Sequence, residues 1–121
     1  IVVELIRYLI RNRDVDVNII SAAICVYLML GLAWSFIYLA IETQTPGAIL
    51  SADMQNPADI FSNLFYFSFV TITTLGYGDI SPASTIAQRW VVLQSIVGQL
   101  YLTIVIARIV ALYRPVDGES N

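Results

Sequence analysis

The sequence predicts an all-α membrane protein in which two spanning helices flank a short apolar helix and an extended loop. Three observations predict it. The 121 residues are 58% hydrophobic and only 12% charged, where soluble domains run at about 25% charged. Two long stretches, Ile19–Ile41 and Trp90–Ala107, carry no charge. Five of the six arginines lie outside the segment that joins these stretches. A soluble chain of this length could not cover so much apolar side chain, because small domains leave much of their surface in water. Lipid removes that requirement. The same composition excludes several functions. A net charge of −3, with no lysine, is wrong for a nucleic-acid binder. With no histidine and one cysteine, Cys25, imidazole acid–base chemistry, a disulfide framework and a thiolate metal cluster are absent. No nucleophile–base pair or phosphate loop is present, so an enzyme is not expected.

The elements follow in order. Residues 1–18 place Val2, Leu5, Ile6, Leu9 and Ile10 on one side and Glu4, Arg7 and Arg11 on another. That spacing predicts an amphipathic helix, either lying in the inner membrane interface or serving as a linker from an upstream domain. The chain opens on Ile1, which reads as a piece of a longer protein. It is not a voltage sensor: its arginines are spaced by four and then two, and Asp14 and Asp16 follow at once. Residues 19–41 are the first span, 23 residues or ~34 Å of helix against a hydrocarbon core of about 30 Å. Cys25 sits in it as a passive apolar residue. The alternative, a buried helix of a soluble protein, fails because this chain has nothing to cover it with.

Residues 42–56, with Pro46-Gly47, form an exposed loop. Residues 57–73 form a helix, with Asn56 as cap, Pro57 in the first helical position and Asp59 suited to the dipole. It is ~24 Å long, too short to span, and reads as re-entrant. A third, thin span would leave the termini on opposite sides of the membrane, against the arginines. Residues 90–113 are the second span, with Trp90 and Tyr113 as interfacial anchors and Arg108 near enough to its end to snorkel. It stops at Arg114-Pro115, and residues 114–121 are a flexible polar tail. The arginine distribution puts both termini in the cytoplasm of a multi-pass cell-membrane protein. The outward segment, with Glu42, Asp53, Asp59 and Asp79 against Arg89, would concentrate cations.

The chemistry lies in Thr71-Ile72-Thr73-Thr74-Leu75-Gly76-Tyr77-Gly78-Asp79. Backbone at membrane depth is tolerated only where its polar groups are paired or line a water or ion path. A strand of alternating backbone handedness aims successive carbonyls the same way. Gly76 and Gly78 make positive φ cheap. The carbonyls of Thr74, Leu75, Gly76 and Tyr77, with the Thr74 hydroxyl, would then stack as oxygen rings that replace the water shell of a monovalent cation. One strand cannot ring an ion, so copies must meet on a rotation axis. Spacing alone does not give their number.

This loop, between a short helix and a second span, resembles the signature of potassium channels, and residues 19–113 resemble their two-span pore domain. The resemblance implies a pore helix over 57–73, a selectivity filter over 74–79 and a homotetramer with four-fold symmetry in the lipid bilayer. It also implies K⁺ held as permeant ion, not cofactor, at Thr74, Leu75, Gly76, Tyr77 and Gly78. Thr71, Thr73, Asp79, Tyr66 and Val70 would support the filter. The chain departs from the family at three places. Leu75 stands where valine is usual; its carbonyl would still serve. Val70 stands where many members pair a carboxylate with the filter aspartate, leaving Asp79 without that partner. Tyr66-Phe67 replaces a tryptophan pair, and the Tyr66 hydroxyl is the remaining candidate to brace the filter.

Gly98 falls 19 residues after Asp79 and resembles the family's hinge glycine. Its alternative is close packing against the pore helix. Gln99, Thr103, Ile106 and Val110 form a stripe at spacing 3–4 that would line a wet cavity and an apolar gate; Gln99 has the alternative of an interhelical hydrogen bond. Gln94 and Ser95 read as packing or filter support. The function expected is a K⁺-selective pore. A weakly selective monovalent cation channel is the nearest alternative, and a non-conducting membrane subunit would leave the loop without a purpose. No ligand-binding or voltage-sensing segment is recognisable in these residues, so any regulatory domain would lie outside them.

Overall fold

In the computed structural model, residues 3, 4, 7, 17–50 and 57–112 are described. Residues 17–50 and 57–112 contain three helices: α1 (Val17–Gln44), α2 (Pro57–Ile72) and α3 (Thr85–Leu112). Two short strands, β1 (Ile49–Leu50) and β2 (Ser81–Pro82), pair antiparallel with Ile49 opposite Pro82 and Leu50 opposite Ser81. The N–H groups of Ala83 and Ser84 both reach the Ala48 carbonyl, at 2.8 and 3.1 Å. This small ladder ties the end of α1 to the start of α3.

α1 and α3 are each 28 residues, ~42 Å of helix, and both are long and apolar enough to cross a membrane. Most of the apolar residues in these two helices face outward in the single chain, which the buried helix of a soluble protein would not do. On α1 the outward stripe is Ile20, Ile24, Leu28, Leu32 and Phe36, every fourth residue and so one helix face. α2 is 16 residues long and packs against both long helices.

The helices run past the apolar stretches from which they were predicted. α1 covers 17–44 where 19–41 was expected, because Asn18 and Glu42–Gln44 continue the turn although they are polar. α3 begins at Thr85, five residues before Trp90. The Ser84 hydroxyl accepts the Ala87 N–H at 3.1 Å, a cap that starts the helix before its apolar part begins. The loop after α1 is pinned from within. The Glu42 carboxylate accepts from the Gly47 N–H at 2.6 Å and the Ile49 N–H at 2.9 Å, so one of the acids expected to line the outer face holds its own loop.

Of residues 1–18, Val3, Glu4 and Arg7 are helical, with an exposed contact of 3.3 Å from Arg7 to Glu4, and Val17 and Asn18 belong to α1. The rest of the amphipathic segment, the Asn56 cap, residues 51–55 of the loop, Tyr113 and the 114–121 tail lie outside the described residues. The main core gathers Trp34 and Tyr38 of α1, Leu64, Phe67 and Ile72 of α2, Ala87 of α3, and Ala48, Ile49 and Ile80 from the connections. It sits directly behind the loop that follows α2. A second cluster, Ile19, Ala23 and Val26, packs with Tyr101 and Val105 at the other end of the long helices.

Candidate functional site

α2 ends in a turn made by the loop itself. The Thr74 N–H bonds the Thr71 carbonyl at 3.0 Å, and the Leu75 N–H bonds the Val70 carbonyl at 3.0 Å. Thr74 is left-handed, with φ +61°. These two bonds around one left-handed residue are a Schellman cap, built here on threonine where glycine is usual. A β-branched residue is strained in that region, and Thr74 is the non-glycine residue with positive φ among those described.

The remaining carbonyls of the last turn are also satisfied. The Thr73 N–H and hydroxyl both donate to the Phe69 oxygen, at 3.1 and 2.6 Å. The Gly76 N–H adds a second bond to the Val70 oxygen at 3.2 Å. The Tyr27 hydroxyl crosses from α1 to the Ile72 oxygen at 3.0 Å. So none of the four carbonyls that a helix end leaves open lacks a partner, and the loop leaves α2 on a fixed path.

Along that path positive φ recurs at every second residue: Thr74 at +61°, Gly76 at +58° and Gly78 at +79°. At Gly76 and Gly78 no atom lies within 4 Å of where a Cβ would stand. Their backbone conformation, not crowding, calls for glycine there. Thr73 through Asp79 are exposed in the single chain. The Tyr66 side chain lies within electrostatic reach of the Asp79 carboxylate, while Val70, with no polar side chain to offer, is buried.

The predicted residues of this loop, with Thr71 half-buried behind them, therefore come together. Those of α3 divide. Gly98 is buried against the end of α2: a Cβ there would stand 2.8 Å from Ile72 Cγ1 and 3.0 Å from the Ile72 oxygen. Close packing accounts for this glycine. Gln99, Thr103, Ile106 and Val110 lie on an exposed face of α3, and the Thr103 hydroxyl is turned back to the Gln99 carbonyl at 2.8 Å. Ile106 and Val110 stand eight and twelve residues beyond Gly98, ~12 and ~18 Å along the helix, away from the loop.

Gln94 was expected to serve packing or filter support; its partners Tyr38, Ser68 and Gly31 were not read from the sequence. The Tyr38 hydroxyl of α1 donates to Gln94 Oε1 of α3. Gln94 Nε2 donates to the Ser68 carbonyl at 3.0 Å and to Ser68 Oγ at 2.9 Å. The Ser68 hydroxyl in turn donates to the Gly31 carbonyl at 2.7 Å, which the Ser35 hydroxyl also reaches at 2.9 Å. Gly31 lets α2 come this near, for its Cβ would fall 2.6 Å from the Phe69 ring. Farther along, Tyr101 stacks on Tyr27 with ring centroids 5.9 Å apart and donates to the Ala23 carbonyl at 2.6 Å. The available signal was that a hydroxyl or amide inside a lipid-facing stretch needs a partner; Tyr27, Ser35 and Tyr38 all lie in the uncharged run.

Comparison with known proteins places the chain in a family. Residues 27–114 match a family described as ion channel. The chain is also similar to two-pore potassium channel 4 of Arabidopsis thaliana, at 26% identity over 99 residues, covering 82% of this chain and 35% of that protein. It thus spans about a third of the length of the curated relative it matches.

Proposed function

The chain belongs to this family of ion channels, and on that premise we propose that it is the pore-forming part of a K⁺-selective channel that conducts passively across the cell membrane. The observation that carries the proposal is the φ alternation at Thr74, Gly76 and Gly78. Backbone that alternates in this way turns successive carbonyls to one side. Thr74, Leu75, Gly76, Tyr77 and Gly78 then offer K⁺ a column of neutral oxygens, with the Thr74 hydroxyl at its base. Such dipoles replace water around a monovalent cation yet release it.

A single column cannot surround an ion, and the loop is exposed in the single chain. Four copies meeting on an axis, each giving one strand, supply the ring. α2 is then a re-entrant pore helix whose negative end faces the ions. Thr71, Thr73, Val70, Tyr66 and Asp79 hold the filter in place. Gln99 and Thr103 line the cavity beneath it, and Ile106 and Val110 form the constriction that closes by dewetting. The termini are cytoplasmic, as the arginines direct. The similarity to a plant potassium channel supports K⁺ as the ion.

The test is current from the purified protein in liposomes under K⁺ and then Na⁺ gradients. A reversal potential that follows K⁺ is expected. Equal permeability to the two ions would replace this reading by a weakly selective cation channel. No flux of either would overturn it.

A further inference from the structure

We propose that Gln94 is a positioning residue for the filter, holding the last turn of α2 in register through the buried chain Tyr38–Gln94–Ser68–Gly31. The inference rests on the functional reading above. All three side chains, Tyr38, Ser68 and Gln94, are 0% exposed, and their donors and acceptors match in full. The Gln94 oxygen takes the Tyr38 proton, both Gln94 N–H bonds go to Ser68, and the Ser68 hydroxyl passes on to Gly31. One carboxamide of α3 is thereby bonded to both other helices.

Its position matters more than its bond count. Ser68 begins the turn that ends at Ile72. The carbonyls of Val70 and Thr71 in that turn receive the N–H groups of Thr74, Leu75 and Gly76. A slip or rotation of this turn therefore moves the filter backbone directly. Apolar packing resists such a slip weakly, because dispersion is not directional. A carboxamide with three fixed partners is directional, and in a region without water a lost partner is not replaced. Val70 cannot pair with Asp79 from within α2, and Gln94 adds support to the same turn from behind.

The experiment compares the wild type with Gln94→Leu, Tyr38→Phe and Tyr101→Phe in liposomes, after size-exclusion chromatography has shown assembly. Gln94→Leu keeps the volume near constant and removes every bond of the carboxamide. Tyr38→Phe removes a single hydroxyl, and decides the matter if Gln94→Leu does not assemble. Tyr101→Phe removes a comparable bond between α1 and α3 away from the filter. Expected is an about tenfold rise in the Na⁺/K⁺ permeability ratio for Gln94→Leu, the scale of leaving buried polar partners unpaired, and a smaller rise for Tyr38→Phe. Tyr101→Phe should lower thermal stability and leave the ratio at its wild-type value. A wild-type ratio in an assembled Gln94→Leu or Tyr38→Phe protein would overturn the proposal, as would an equal rise in Tyr101→Phe. A wild type that does not select K⁺ overturns the functional reading beneath it; a selective wild type with unchanged variants overturns this inference alone.

Discussion

Replacing Gly98 by alanine sets two effects of known size against each other. Alanine in a helix interior is favoured over glycine by about 1 kcal/mol. At Gly98 the new methyl carbon would stand 2.8 Å from Ile72 Cγ1 and 3.0 Å from the Ile72 oxygen, against a comfortable carbon separation of about 3.5–4.0 Å. Neither neighbour yields freely. Ile72 is 0% exposed, so its side chain has no room to turn, and its carbonyl is held by the Tyr27 hydroxyl. Overpacking of this kind costs about 1–3 kcal/mol. The net expectation is a loss of about 1 kcal/mol, or a fall in melting temperature of about 4 °C for a chain of this size. Tryptophan fluorescence on heating in detergent would measure it. Ile72→Ala removes the Cγ1 contact and leaves the carbonyl, so the double variant should lose less than the two single losses added. A rise in melting temperature for Gly98→Ala would refute the close approach. Unchanged stability with altered gating would show that the glycine serves bending instead.

Three further outcomes are expected. Gly76→Ala should abolish K⁺ current while the protein still assembles. The open space around Gly76 spares it a clash, but φ +58° costs alanine about 1–2 kcal/mol in each copy; normal K⁺ selectivity would remove the filter assignment. Ile106→Asn and Val110→Asn should each raise open probability in single-channel records, because a wetted constriction no longer closes, and unchanged gating in both would exclude them as the gate. Tyr66→Phe removes the hydroxyl nearest to bracing Asp79 and should speed the decay of current when external K⁺ is withdrawn. Equal decay rates would mean that this hydroxyl does not brace the filter.

The parts legible in the sequence were those that the bilayer imposes. Its thickness fixes how long an uncharged helix must be, so α1, α3 and the short helix between them could be read from the lengths of the apolar stretches and where charges interrupt them. Gly76 and Gly78 were legible for a related reason, since positive φ at a regular interval leaves few other residues to choose from. Less visible was whatever depends on a neighbour in space. Ser84 starts α3 early by capping it five residues before Arg89, a charge that a search for uncharged stretches stops at. Thr74 begins the alternation because it closes a Schellman cap, and nothing in its side chain announces that.

The buried polar chain is the instructive case. Tyr38, Ser68 and Gln94 lie 26 to 56 residues apart, so no spacing rule connects them. The argument that would have connected them was nevertheless at hand. Lipid offers no partner to a hydroxyl or an amide, so each polar side chain in an apolar span implies another one opposite. A tyrosine and a serine in the first span, a serine in the short helix and a glutamine in the second span are then one group rather than four exceptions. Because that group closes on Ser68, the turn it secures is the one from which the loop departs. The placement of the loop is thus set from two sides, by its own amides on Val70 and Thr71 and by Gln94 behind them.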